Sequence, residues 1–203
     1  MKTFSARLSL ATAALALSAS ASAAVIGYAN PGAENSATYN LVAASTGKVT
    51  AYFMASDAGY ENELTLYVNG KATGIYGLNN HASKGGDILD FGSVNAGDNL
   101  VFALRTLDPD NVLPVYSDSS LNADGLQHIY STSFGGAGAI PAGTYVGFED
   151  MFNGGDFDYN DENFVFTNVA VQAEVPEPAS LALLFAGAIG IGASRKARAK
   201  RKA

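Results

Sequence analysis

"ELTLYVNG", Glu63–Gly70, decides the fold class. Leu64, Leu66 and Val68 alternate with Glu63, Thr65 and Tyr67, the two-residue period of a strand with one buried face. Asn69-Gly70 follows at once. Both residue types accept the positive φ that a two-residue hairpin turn demands, so the pair reads as a reversal between two strands. Similar short runs recur on either side: "TYNLVA" (Thr38–Ala43), "VTAYFMA" (Val49–Ala55), "DILDF" (Asp87–Phe91), "NLVFALR" (Asn99–Arg105), "QHIYS" (Gln127–Ser131), "TYVGF" (Thr144–Phe148) and "NFVFTNVAV" (Asn163–Val171). They are rich in Val, Tyr, Phe and Thr, which suit a pleated, half-buried surface. Turn residues separate them, as in "DPD" (Asp108–Asp110) and "PAG" (Pro141–Gly143). No 3.6-residue period appears between the two ends of the chain. The pattern predicts an all-β single domain, a β-sandwich or a jelly-roll-like fold. Asp108–Asp124 reads as a long polar loop and Gly135–Pro141 as a flexible connector.

The two ends differ from this middle. Lys2 and Arg7 precede an apolar run, Leu8–Leu17, and then "SASASAAV", which offers Ala-x-Ala at Ala21–Ala23. That is the layout of a secretory signal peptide over residues 1–23, with cleavage after Ala23. At the other end Pro176 and Pro178 break any helix from upstream. Ala179–Ser194 then carries no charge. As a helix it spans roughly 24 Å, slightly short of a bilayer's hydrocarbon core. Arg195, Lys196, Arg198, Lys200, Arg201 and Lys202 follow, a cluster that stays on the cytoplasmic side. Residues 175–203 thus read as a tail held in the inner membrane, and residues 24–174 as an extracellular domain.

Charge divides along the same lines. The chain has 12 basic and 19 acidic residues. Between the two ends only Lys48, Lys71, Lys84 and Arg105 are basic, while every acidic residue except Glu177 lies there. Nucleic acid and anionic lipid are poor partners for such a surface. Cations, and polymers bridged through cations, are plausible ones. There is no cysteine, which excludes disulfides and thiolate zinc sites, and only His81 and His128 offer ring nitrogens. Oxygen-ligated metals are what this composition serves.

The acids concentrate in "GFEDMFNGGDFDYNDENFVF", Gly147–Phe166. Glu149, Asp150, Asp156, Asp158, Asp161 and Glu162 fall within it, and no Lys or Arg occurs from Thr106 to Ser194. Gly154-Gly155 permits a tight bend. Were the following residues extended, Asp156, Asp158 and Asn160 would share one face and present oxygens outward, while Phe157 and Tyr159 pointed into the core. Two carboxylates ~7 Å apart repel by about 2.4 kcal/mol at an effective dielectric of 20. A divalent cation relieves that repulsion, and calcium suits carboxylate and amide oxygens in a loop. The candidate ligands are Glu149, Asp150, Asp156, Asp158, Asn160 and Asp161. The competing reading is a solvated acidic turn. "DFDYND" starts like an EF-hand, but Asp161 stands where that loop needs Gly and Thr167 where it needs Glu, so an EF-hand is rejected. A second polar group, Asp57, Glu61 and Asn62, precedes the Glu63 strand. Loops at one end of a sandwich converge, so these residues either join the acidic loop or simply cap a turn.

"VPEPASLALL", the apolar run and the basic end together resemble the PEP-CTERM sorting signal of Gram-negative bacteria. The resemblance implies recognition by an exosortase in the inner membrane, removal of the tail near Pro176, Glu177 and Pro178, and a place at the cell surface or in an exopolysaccharide, biofilm or floc matrix. "AGYENELTLYVNG", "LNADGLQHIYS" and "AGTYVGFEDMFNGGDFDYNDENFVFTNV" resemble a bacterial domain family of uncharacterised function found in secreted and surface proteins. Its hallmark is G-F-E-D, a Gly-rich bend, then D-x-D-Y-N-D before a final strand. That resemblance implies a β-rich extracellular module that binds calcium. Gln127 departs from the pattern, standing where an acidic residue is expected before His128.

Three functions compete. The first is a non-catalytic, calcium-stiffened matrix or surface protein touching polysaccharide, with tyrosines such as Tyr76 and Tyr116 available to stack on sugars. The second is an enzyme: a glycosidase pairing Glu149 with Asp156 or Asp158, or a His128–Ser nucleophile. A bend without hydrophobic shelter for its acids argues against the first form, and the lack of a nucleophile elbow against the second. The third is a structural subunit that self-assembles through β edges.

Overall fold

A computed structural model describes residues 24–109 and 113–172. The expected signal peptide, with its cleavage after Ala23, and the sorting tail from Pro176 onward lie outside the described residues. The strands are β1 (Asn40–Ala43), β2 (Gly47–Ser56), β3 (Asn62–Val68), β4 (Lys71–Gly77), β5 (Ile88–Val94), β6 (Leu100–Thr106), β7 (Val115–Tyr116), β8 (Ile129–Phe134), β9 (Gly143–Phe148), β10 (Glu162–Thr167) and β11 (Val169–Gln172).

They form a five-stranded sheet in the order β5-β2-β10-β9-β8, a four-stranded sheet β4-β3-β6-β7, and a two-stranded ribbon β1-β11. Every pairing is antiparallel. The two larger sheets face each other across one apolar core. Phe53, Phe91, Val146, Phe148, Phe164 and Phe166 come from the first, and Leu64, Leu66, Leu100, Phe102 and Leu104 from the second. The Phe102 and Phe166 rings stack between the sheets with centroids 3.8 Å apart. The outcome is a β-sandwich. A second, smaller cluster of Met54, Phe134, Ile140, Tyr145 and Val165 covers the back of the five-stranded sheet, with Ile26 from the N-terminal segment packed against it.

The hairpin at Asn69-Gly70 joins β3 to β4 as the sequence predicts. Both residues have positive φ, 49° and 75°, and Val68 pairs with Lys71. Four expectations need correction. Asn163–Val171 is two strands, because Asn168 at φ 61° turns the chain from one sheet into another. Asp108–Asp124 is not simply a loop. Val115–Tyr116 pairs with β6, and a 3-10 turn follows at Ser119–Leu121, its start capped by the Asp118 carboxylate. Gly135–Pro141 closes on itself through a bridge between Ala137 and Ile140, with Ile140 buried. The Phe157 side chain does not enter the core, for the reason given below.

Candidate metal centre

The loop between β9 and β10 is a hairpin tip whose base is fixed by the pairing of Phe148 with Glu162. Inside it the chain is not extended. Asn153, Gly154, Gly155, Phe157 and Tyr159 all have positive φ, from 49° to 76°. Left-handed residues spoil strand alternation, so the expected sharing of a face by Asp156, Asp158 and Asn160 does not arise in that form. Tyr159 turns inward and is buried, its hydroxyl donating to the Gln127 carbonyl at 3.1 Å. Phe157 instead folds over Gly154, where a Cβ would lie 2.1 Å from its ring. Gly147 serves a second close approach: a Cβ there would meet the Tyr159 carbonyl oxygen at 2.3 Å. This glycine lets the loop close onto β9.

The closure brings Glu149, Asp156 and Asp158 together. One carboxylate oxygen from each lies within 4.8 Å of the others. Glu149 is 1% exposed, Asp158 half-buried and Asp156 exposed, so the group runs from the interior to the solvent. The Tyr159 amide donates to Glu149 Oε1 at 2.7 Å. Burial nevertheless pushes the Glu149 carboxyl up to about 7, with the charges of Asp156 and Asp158 adding to the rise against the amides of Tyr159 and Asp158. Asp158 is raised as well, by burial and by Asp156. A carboxylate pair 4.8 Å apart repels by about 3.5 kcal/mol at an effective dielectric of 20. The expectation that these acids lack shelter therefore fails for Glu149 and holds for Asp156. Glu149, Asp150 and Glu162 are all buried, because the loop folds back against the sandwich end.

The remaining candidate ligands sit around this group. Asn160 is drawn to Asp158, its side-chain amide donating at 2.5 Å. Asp150 and Asp161 are tied to each other and to β3: the Asp150 amide donates to Asp161 Oδ2 at 2.9 Å, and Asp150 Oδ2 accepts from the Asn62 side chain at 2.7 Å. The β2–β3 loop thus reaches the acidic loop. The Asp57 amide also donates to the Asn160 and Asp161 carbonyls. Glu61 does not join them; it accepts from Asn79. Among the described residues, Lys48 and Arg105 pair with Asp90 and Glu63, and no Lys or Arg pairs with Glu149, Asp156 or Asp158.

Asp124 is a contributor that sequence reasoning missed. Its Oδ2 accepts from the Asn153 amide at 2.8 Å and lies 3.0 Å from His128 Nε2. His128 Nδ1 sits 2.9 Å from the Glu149 carbonyl. This buried pair ties the loop's bend to β8. Its only sequence signal was the i, i+4 spacing of Asp124 and His128. Both ring nitrogens face these oxygens and neither faces a serine.

A family model described as "Domain of unknown function (DUF4114)" matches residues 56–168, more than half of the chain. The chain belongs to this family. The DUF4114 match begins at the last residue of β2, yet β2 lies between β5 and β10 in the five-stranded sheet. The folded unit therefore extends beyond the family's matched segment. A second model, "PEP-CTERM protein-sorting motif", matches residues 174–196. That motif marks an exported protein with a membrane-anchored C-terminal sorting tail that an exosortase recognises and processes. No curated protein and no solved structure matches the chain.

Proposed function

We propose that this protein is a non-catalytic cell-surface or extracellular-matrix module of a Gram-negative bacterium, stabilised by calcium at Glu149, Asp156 and Asp158 and touching exopolysaccharide in a biofilm. The carrying observation is the convergence of those three carboxylates, one of them buried, with no Lys or Arg paired to any of them among the described residues. Oxygen-only donors of mixed burial suit a hard cation such as calcium. In full-length protein, calcium at about one hundred times its Kd adds about 2.7 kcal/mol. At roughly 2–4 °C per kcal/mol for a domain of this size, melting rises by about 5–11 °C. Asp156→Asn combined with Asp158→Asn removes most of that rise. An identical melt in chelator and in calcium overturns the reading.

The polysaccharide contact is assigned to the outer face of the four-stranded sheet. A hollow of about 280 Å³ there is lined by Tyr67, Gly70, Val101, Tyr116 and Leu121. A second of about 180 Å³ shares Tyr67 and adds Tyr76 and Arg105. Tyr76 is 40% exposed with the Arg105 guanidinium 4.2 Å from its ring centre. Retention on a glycan column without turnover supports the binding role. A glycosidase has one observation in its favour, the raised Glu149 carboxyl beside two carboxylates. Glycan turnover abolished by Glu149→Gln would establish it instead.

A further inference from the structure

The outer face of the four-stranded sheet is shaped by one cross-strand row. Tyr76 in β4 stands opposite Thr65 in β3, Thr65 opposite Ala103 in β6, and Ala103 opposite Tyr116 in β7. Directly opposed residues share a face. This one points away from the core, because Leu64, Leu66, Phe102 and Leu104 alternate with it and fill the sandwich interior. At ~4.8 Å per strand the row is about 14 Å long. Its middle residues are small and its ends are tyrosines, so the face is a trough rather than a plane. Thr65 and Ala103 are buried although they face outward, since Tyr67, Tyr76, Arg105 and Pro114 rise around them. Tyr67 borders both hollows and meets the Tyr116 ring edge-on, with centroids 5.8 Å apart. Each hollow alone is smaller than the roughly 300–1,000 Å³ of a small-molecule site, and the two together reach that range. Adjacent hollows of this size suit a chain that runs on from one to the next.

The charges select the chain. Among the described residues, Arg105 is the only charged one lining either hollow, and the Glu63 carboxylate 2.5 Å away neutralises it. Lys71 pairs with Val68, which puts it on the opposite face from Tyr67. The Thr65 hydroxyl donates to the Ile75 carbonyl at 2.9 Å. An anionic chain therefore finds no free cation here and meets the field of a strongly acidic domain. A cationic chain is drawn instead to the carboxylates of the β9–β10 loop. An uncharged sugar ring lays its C–H face on a tyrosine and keeps its hydroxyls in water. We propose that this trough binds an uncharged hexose polymer, with one sugar ring in each hollow and Tyr67 between them. The proposal rests on the polysaccharide contact assigned to this face above and names its chemistry.

Affinity electrophoresis tests it. Full-length protein in mild detergent migrates through native gels containing dextran, galactomannan, hydroxyethylcellulose or the anionic carboxymethylcellulose, in chelator and in calcium. The expected result is retardation by at least one of the neutral chains, equal in chelator and in calcium and unchanged by added salt, because no free charge is engaged. Tyr67→Ala abolishes it, and Tyr76→Ala and Tyr116→Ala each weaken it. Retardation by carboxymethylcellulose alone overturns the uncharged ligand and leaves the polysaccharide contact standing. Retardation by none of the four ends both. Neutral-chain retardation that Tyr67→Ala leaves unchanged moves the contact off this face and overturns the trough. A wild type that sediments as a dimer, with Tyr67→Ala a monomer, gives the face to a second copy and overturns the proposal too. Should Tyr67→Ala fail to show the far-ultraviolet spectrum of a folded β protein, Tyr76→Ala decides in its place, since that ring is already partly in solvent. Weakened retardation in that variant upholds the trough, and unchanged retardation overturns it.

Discussion

At the scale of single residues, the acidic loop depends on two glycines for different reasons. Gly154 has φ of 76° and carries the Phe157 ring directly above it, so both backbone and space exclude a side chain. Gly147 needs only space, because the Tyr159 carbonyl lies against its Cα. Gly147→Ala therefore pushes the loop off β9 while leaving β9 itself an acceptable strand. The expected result is a loss of about 1–3 kcal/mol, the range for forced overpacking, together with loss of the calcium-dependent rise in melting temperature. Urea denaturation in chelator and in calcium separates the two effects. The sequence made Gly154-Gly155 legible as a bend, but the role of Gly147 was hidden. It depends on a backbone oxygen twelve positions away, which no local pattern encodes.

At the scale of elements, legibility followed burial on one face. β3 and its hairpin to β4 could be read because alternation and turn chemistry agree over eight consecutive residues, Glu63–Gly70. β7 could not, since two residues carry no period, and its pairing with β6 is settled by tertiary contact. The segment after Gly155 failed for the opposite reason. It alternates acid and aromatic as a strand would, yet left-handed φ at Phe157 and Tyr159 breaks the pleat. The convergence of Asp156 and Asp158 was reached from sequence by an incorrect geometry. The partner that completes them, Glu149, comes from the far side of the bend. Packing between elements offers a cleaner prediction. Phe102 in β6 is fully buried and stacks on Phe166 in β10, so it holds the two sheets face to face. Phe102→Ala is expected to cost about 3–5 kcal/mol, as large-to-small core changes do. Because Phe102 lies outside the acidic loop, the increment in stability from calcium should survive in any variant that still folds. Denaturant titration with and without calcium measures both quantities.

At the scale of the whole molecule, a surplus of acids without local countercharge makes stability a matter of protons and cations together. Glu149 titrates at about 7 in the folded chain against 4.5 as its ordinary value. Between those limits the folded chain keeps a proton that the unfolded chain has released, so stability falls as pH rises through this window. Asp158, Asp161 and Glu162 are raised by burial in the same direction. Asp124 moves the other way: burial raises it, but the amides of Leu126 and Asn153 and the His128 ring outweigh burial, so its contribution is lost as pH falls through the region below 3.8. Without a cation, the protein is therefore most stable at roughly pH 4, between these two effects. Calcium binds only the ionised carboxylates and competes with their protons. Its stabilising increment is small near pH 5, grows as Glu149 ionises, and levels off above about pH 7. Thermal melts in chelator and in calcium at pH 5 and pH 8 check this, with the larger increment expected at pH 8. Equal increments at the two pH values would mean that the ion, if it binds, does not displace a proton from Glu149. The source of the calcium effect would then have to be sought outside the β9–β10 loop.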